Sequence, residues 1–337
     1  MVKAKKYVVS NTFQGPPKRD DFKIVEYDLP PLKDGEILLK TEWLSVDPYL
    51  RAYNSFLQPP YDQFGFQVGV VQETKDPKFP VGTRVVTHKG WCDHVIVKDV
   101  IEKTSEPPIE WIYKLPDLQG LSASLALGAV GMPGATAYLA FLEICKPKSG
   151  ETVAVSGAAG AVGSLVGQIA KIKGCKVIGF AGTDEKVKWL KELGFDEAFN
   201  YKTVNIQTAL KEVAPNGVDC YFDNVGGEIS SSVMYNMSKG GRVCVVGSIS
   251  SYNDDPTQLP KVTIVQPGIL FKQLKVEGFI IWEHKDRWQE AFAVLVKWIK
   301  NGHLKAPEHV TTGFGNIYDA FIGMLNGENF GKAVVKV

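Results

Sequence analysis

Residues 152–174 read TVAVSGAAGAVGSLVGQIAKIKG, and no other stretch constrains the fold as tightly. A short apolar run enters a turn, Gly157-Ala158-Ala159-Gly160-Ala161-Val162-Gly163, and a helical pattern follows. Val162, Leu165, Val166, Ile169 and Ile172 fall on one helical face, and Gly174 marks the stop. Strand, tight turn and amphipathic helix together form the phosphate-cradling half of a βαβ unit. Gly160 lets the backbone approach a pyrophosphate, and Gly163 lets helix and strand pack closely. Ala158 stands where the first glycine of G-x-G-x-x-G belongs, so the motif is broken. The surrounding elements carry the expectation of a dinucleotide site.

From about residue 122 to 304, apolar strands alternate with helical patterns. The expected strands are 152–156, 176–180, 197–201, 218–222, 242–247 and 274–281. Alternation of this kind predicts an α/β fold with a doubly wound parallel sheet, the Rossmann arrangement. The earlier chain differs: short runs at 22–29, 36–44, 68–74, 83–88 and 94–99 are separated by PP pairs, KDG and KDPKFPVG. They predict a compact, mostly antiparallel β unit. The tail turns β again at HVTT and KAVVKV. The expected domains are 1–125 with 305–337, and 126–304. A chain of 337 residues suits roughly two domains.

A formal net charge of +1 gives no global field for nucleic acid or an anionic membrane. Five cysteines at 92, 145, 175, 220 and 244 show no CxxC pair and read as reduced thiols. MVKAKKYVVS is basic but lacks the apolar core of a secretory signal. No apolar run reaches the ~18 residues of a membrane span. A cytoplasmic protein is expected.

The second strand of the nucleotide half ends at Ala181-Gly182, where an NAD site usually carries an acid for the adenosine ribose. Asp184 lies about 20 residues beyond Gly163 but reads better as the opening of a helix, with Thr183 or Asp184 as its N-cap. The space left over Gly182 suits a 2′-phosphate, and Lys186 reaches it from the first helical turn. A cation there has little reason to serve the helix. NADPH is therefore expected over NADH.

VDPYLR (46–51), LGAVGMPGATAYLAFLEIC (127–145), the glycine turn, FNYKTV (199–204), DCYFDNVGGE (219–228), GSISSYN (247–253) and GENFGK (327–332) closely resemble the prostaglandin reductases, also called leukotriene B4 12-hydroxydehydrogenases. Plant alkenal double-bond reductases are similar, and the resemblance spans nearly the whole chain. It implies a GroES-like β domain beside the Rossmann sheet and NADPH-dependent reduction of the C=C bond of α,β-unsaturated ketones and aldehydes. It further implies cofactor contacts at Met132, Thr136, Gly160, Ala161, Val162, Gly163, Gly182, Lys186, Tyr201, Asn224, Val246, Gly247, Ser248, Ile249, Ser250, Ser251, Tyr252, Phe279, Ile280, Ile281 and Asn329. A homodimer is the family expectation. Leu50 departs from the methionine common in the family, and the 254–272 stretch differs in its prolines.

Medium-chain dehydrogenases with a similar domain order often bind catalytic zinc through three Cys, His or acidic ligands. Here Gly65-Phe66-Gln67 replaces Gly-His-Glu, and Ser45 and Asp47 stand where a cysteine ligand would be. His88-x-x-x-Cys92-x-His94 offers three donors across a strand–turn–strand but no fourth nearby. No metal is expected, which disfavours simple alcohol oxidation. The expected catalytic group is the Tyr252 hydroxyl, donating to the substrate carbonyl as charge builds there. Tyr49 is expected to line the substrate cleft. Two other readings remain open at this point: a quinone reductase, and a non-enzymatic NADPH-binding protein. The partner expected is a small enone or enal, with no nucleic acid and no membrane.

Overall fold

The computed structural model describes residues 2–99, 111–255 and 261–337. Residues 256–260, within the expected variable stretch 254–272, lie outside the described residues. Among the described residues the chain opens with β1 (Lys3–Val9), β2 (Phe22–Asp28), β3 (Glu36–Ser45), β4 (Tyr61–Asp62), β5 (Gln67–Thr74), β6 (Arg84–Thr87), β7 (His94–Lys98) and β8 (Ile112–Lys114), with the short α1 (Tyr49–Tyr53) before β4. Next come α2 (Met132–Ala140), β9 (Thr152–Val155), α3 (Gly163–Ile172), β10 (Lys176–Ala181), α4 (Asp184–Glu192), β11 (Glu197–Asn200), α5 (Ile206–Val213), β12 (Val218–Asp223), α6 (Gly227–Tyr235), β13 (Met237–Val245), α7 (Gln266–Lys272), β14 (Lys275–Gly278) and α8 (Trp288–Lys300). The chain closes with β15 (Glu308–Thr312), α9 (Ile317–Leu325) and β16 (Lys332–Lys336).

The chain forms two compact units: Met1–Leu127 with Glu308–Asn329 and Ala333–Val337, and Gly128–Pro307 with Phe330–Lys332. In the first, β2-β1-β4 make a small antiparallel sheet, and a second sheet runs β15-β16-β3-β5-β6-β8, with β7 also on β3. The basic start of the chain is a strand. Lys3 and Lys5 face out while Ala4, Tyr7 and Val9 are buried. Tyr7, Phe22, Trp91 and Phe321 knit that core through ring contacts such as Tyr7–Trp91 at 5.7 Å.

In the second unit the strand order is β11-β10-β9-β12-β13-β14, every pair parallel. Numbered from β9, this is the 3-2-1-4-5-6 order of a complete dinucleotide-binding sheet. The order reverses between β9 and β12, and ligands of such sheets bind outside the carboxyl ends at that point.

Three sequence expectations need adjusting. β14 stops at Gly278 instead of 281: the Phe279 amide still reaches Val245 O at 2.9 Å, and Ile281–Arg287 then winds into a 3-10 turn. β11 ends at Asn200, which leaves Tyr201 in a turn. Ile172 ends α3 and is 38% exposed, so the buried helix face is Leu165, Val166 and Ile169.

The five cysteines are all buried and free. Burial pushes the Cys92 and Cys244 thiols up to about 12 and the Cys175 thiol to about 11. Cys220 is raised further, first by its hydrogen bond with Cys145 and then by burial.

Candidate active site

The glycine turn follows β9. Gly157 takes φ 57°, the Ala158 N–H donates to Phe180 O at 3.0 Å, and the Gly160 N–H returns to Gly157 O at 3.0 Å. A Cβ on Gly163 would lie 2.4 Å from Gly157 O and 2.8 Å from Ala158 Cα, both backbone atoms. Gly163 is thus demanded by packing. A Cβ on Gly160 would meet only Gly157 O, at 3.3 Å, so packing does not require that glycine. A glycine there leaves room for close approach of a ligand. No side chain caps the N-terminus of α3, which leaves its field to an anion. Ala161 and Val162 complete the turn, and the Gly331 N–H braces it at Ala159 O, 2.9 Å away.

At the end of β10 the cap of α4 is Thr183, whose Oγ1 accepts from the Lys186 N–H at 3.3 Å. Asp184 is held elsewhere: its Oδ1 accepts from Asn200 Nδ2 at 2.8 Å. Lys186 is only 8% exposed, and its ammonium sits 5.7 Å from the centre of the Phe330 ring. Phe330 in turn stands edge-on to Trp189. Burial, and then the charge of Lys202, hold the Lys186 ammonium below the usual lysine value. A Cβ on Gly182 would come 3.3 Å from Tyr201 Oη and 3.5 Å from Lys202 Cε. Gly182 therefore clears a gap bordered by a phenol and a lysine, with the second lysine close enough to feel the first. A buried ammonium that feels the charge of a second, exposed lysine suits a dianionic phosphate. Sequence reasoning found Gly182, Lys186 and Tyr201 but missed Lys202 and Phe330. The adjacent lysine in FNYK was the available signal.

At the end of β12 the organising residue is Asp223, also missed. Its side chain is buried, and Oδ1 accepts from Ser156 Oγ (2.9 Å), Tyr221 Oη (2.8 Å) and the N–H groups of Val225 and Gly226 (3.0 Å each). Asn224 is fixed beside it, its Nδ2 donating to Ser156 O at 2.7 Å. The run Val246 to Tyr252 is stitched to the same turn. The Val246 N–H reaches Asp223 O, the Ile249 N–H reaches Asn224 O, and Ser250 Oγ donates to Val225 O at 2.6 Å. A Cβ on Gly247 would lie 3.0 Å from Asn224 O. Ser251 Oγ bonds Ser248 O, and the Ser248 N–H donates to Tyr252 Oη at 3.3 Å. Burial raises the Tyr252 phenol above its ordinary value, and that N–H pulls the other way.

Phe279 is buried against His284, the rings 4.5 Å apart and nearly parallel, while Ile280 is exposed and Ile281 buried. Phe279 and Ile280 also line an open groove of about 940 Å³ with Leu142, Glu143 and Lys146. Met132 and Thr136 stand one turn apart on α2, bonded through Thr136 Oγ1 to Met132 O at 2.8 Å.

Tyr49 and Asn329 belong to the first unit. Tyr49 Oη bonds His88 Nε2 at 3.0 Å, and burial pushes its phenol well above the ordinary value. The donor set expected for zinc is otherwise engaged. Ser45 Oγ donates to Asp47, Gln67 Oε1 accepts from Thr41 Oγ1 at 2.8 Å, and Cys92 Sγ faces Gln67 and Gly90 O at 3.6 Å. A hydroxyl and an amide do not replace the thiolate and imidazole that zinc selects, so these residues do not fit a catalytic zinc. Among the described residues no group of three or more His, Cys, Asp or Glu is placed to hold a metal.

Residues 161–297 match the family described as zinc-binding dehydrogenase, and residues 5–103 match the N-terminal domain of oxidoreductase. The chain is 49% identical over 344 residues to prostaglandin reductase 1 of Bos taurus, covering 100% of both chains. It is 37% identical to an NADP-dependent 2-alkenal reductase of Nicotiana tabacum, covering 100% of this chain and 98% of the other. A crystal structure of CurA from Vibrio vulnificus in complex with NADPH superposes with a TM-score of 0.89 at 37% identity, covering 99% of each chain.

Proposed function

Because the chain belongs to the zinc-independent prostaglandin reductases of the medium-chain dehydrogenase/reductase superfamily, we propose that it reduces the C=C bond of α,β-unsaturated ketones and aldehydes with NADPH. The observation that carries this reading is the gap over Gly182, bordered by Tyr201 and Lys202, with the buried Lys186 ammonium feeling the charge of Lys202 and the nearby acid tied to Asn200. That arrangement rewards a 2′-phosphate. Gly160 to Gly163 would hold the pyrophosphate. Asn224, Val246 to Tyr252, Phe279 to Ile281, Met132, Thr136 and Asn329 would hold the remainder. Residues 1–125 with 305–337 are assigned the substrate side and residues 126–304 the nucleotide side, and Tyr49 is assigned to the substrate lining.

NADPH held by these residues would supply the hydride that the β-carbon of the enone takes up. Tyr252 answers the charge that develops on the carbonyl oxygen. Its phenol stays protonated at neutral pH and donates to that oxygen. The Ser248 N–H on its own oxygen polarises the phenol and strengthens the donation. Solvent then protonates the α-carbon, which completes the two-electron, two-hydrogen reduction without a metal.

We further assign 15-oxoprostaglandins and lipid-derived enals as substrates, a cytoplasmic location and a homodimer. No helix among the described residues is long and apolar enough to cross a membrane. In favour of the dimer, β14 ends its sheet with all four residues exposed, near the sequence positions of the exposed Ile264, Leu270, Phe271 and Ile280. An exposed strand edge flanked by apolar side chains invites a second copy.

The deciding experiment follows NADPH oxidation with a 15-oxoprostaglandin and with a simple alkenone, against NADH and a quinone as controls. Turnover of the enone with NADPH is expected. Turnover of the quinone alone would overturn the substrate assignment, and equal rates with NADH would overturn the cofactor assignment.

A further inference from the structure

The acid that could reverse the nucleotide preference is present, and one amide restrains it. Asp184 opens α4, close to where a ribose-binding carboxylate would act. Asn200 closes β11, and Ala181 is its register partner on β10, so its side chain emerges where both strands deliver the chain to the gap. The Asn200 carboxamide is 9% exposed and uses both ends. Nδ2 donates to Asp184 Oδ1 at 2.8 Å, and Oδ1 accepts from the Lys202 N–H at 3.2 Å. Its carbonyl adds bonds from the N–H groups of Thr203 and Val204. One residue thus ties a carboxylate down on one side and fixes the lysine-bearing turn on the other.

We propose that Asn200 is a positioning residue for cofactor choice: by tying back Asp184 and fixing the Lys202 turn, it keeps the gap positive and sets the preference for a 2′-phosphorylated nucleotide. This rests on the NADPH reading above. A neutral amide can donate to the carboxylate through its nitrogen and accept from the backbone through its oxygen at once. Without it Asp184 is free to oppose the phosphate and to accept from a ribose 2′-hydroxyl instead.

The test measures dissociation constants for NADPH and NADH by fluorescence titration, with no substrate present. Asn200→Ala is expected to cut the NADPH-to-NADH affinity ratio roughly tenfold, the scale of one charge-assisted contact. Adding Asp184→Asn is expected to restore the ratio to within roughly threefold of wild type, a rescue that a merely structural role would not give. The proposal fails if Asn200→Ala leaves the ratio unchanged, if both nucleotides weaken alike, or if Asp184→Asn gives no rescue. Should Asn200→Ala not fold, Asn200→Asp keeps the size and the acceptor for Lys202 but faces Asp184 with a second carboxylate; an intact ratio there overturns the proposal as well. A wild-type chain that preferred NADH would instead overturn the nucleotide reading itself.

Discussion

The backbone N–H of Ser248 donates to the phenol oxygen of Tyr252, four residues on, at 3.3 Å. That bond occupies the oxygen as acceptor and fixes the direction in which the phenol proton can be offered. Tyr252→Phe keeps the ring and removes the proton. It is expected to lower kcat by about 10²-fold with little change in KM, measured with NADPH and an alkenone. An unchanged kcat would remove Tyr252 from the mechanism.

Lys186→Ala is expected to weaken NADPH by roughly tenfold or more and to leave NADH nearly unaffected. The pH dependence has a definite sign. In the free protein, burial and Lys202 favour the neutral amine, so the ammonium deprotonates below the usual lysine value. A bound phosphate favours the ammonium. NADPH affinity should therefore fall as pH rises through that lowered value, while NADH affinity stays flat. The same shift makes the charged lysine destabilising to the free fold, so this group's effect on stability improves over the same pH rise. Nucleotide titrations across the alkaline range check the first effect, and denaturant midpoints check the second.

The two fingerprint glycines should separate. Gly163→Ala drives a Cβ against Gly157 O and Ala158 Cα, which is expected to cost about 1–3 kcal/mol of stability. Gly160→Ala meets a single atom at 3.3 Å and should stay within about 0.5 kcal/mol of wild type. It should nevertheless weaken NADPH and NADH alike, because both carry the pyrophosphate. Denaturant titration beside nucleotide binding distinguishes the pair.

Asp223→Ala strands two hydroxyls and two N–H groups around one vanished oxygen. At about 1–3 kcal/mol for each buried donor left unpaired, a loss of at least about 3 kcal/mol is expected. A chemical denaturation midpoint reads it directly.

Val276→Lys places a charge on the exposed strand β14. Sedimentation should show a dimer for the wild type and half that mass for the variant, because edge lysines oppose strand pairing. A wild-type monomer would refute the dimer.

The nucleotide half was legible because each of its signals is local. The glycine turn, the 3.6-residue face of Leu165, Val166 and Ile169, and the missing acid at Ala181-Gly182 all lie within one βαβ unit. Lys202 and Asn200 were less legible, since their roles depend on β11 lying beside β10, a relation between strands about 20 residues apart. Asp223 reads as one more polar residue before a glycine turn until β9 brings Ser156 to it. The end of β14 was misread for a related cause: Phe279 and Ile281 are apolar for burial and ring contact while Ile280 is exposed, and apolarity alone does not tell a strand from the turn that follows it.

The burial of the cysteines takes on another meaning once the substrates are enones. Such compounds are soft electrophiles that add to thiolates. An enzyme that concentrates them exposes itself to alkylation. None of the five thiols is at the surface, and burial holds Cys92, Cys175 and Cys244 in the unreactive protonated form at neutral pH. The folded chain offers the compounds it consumes no exposed thiol.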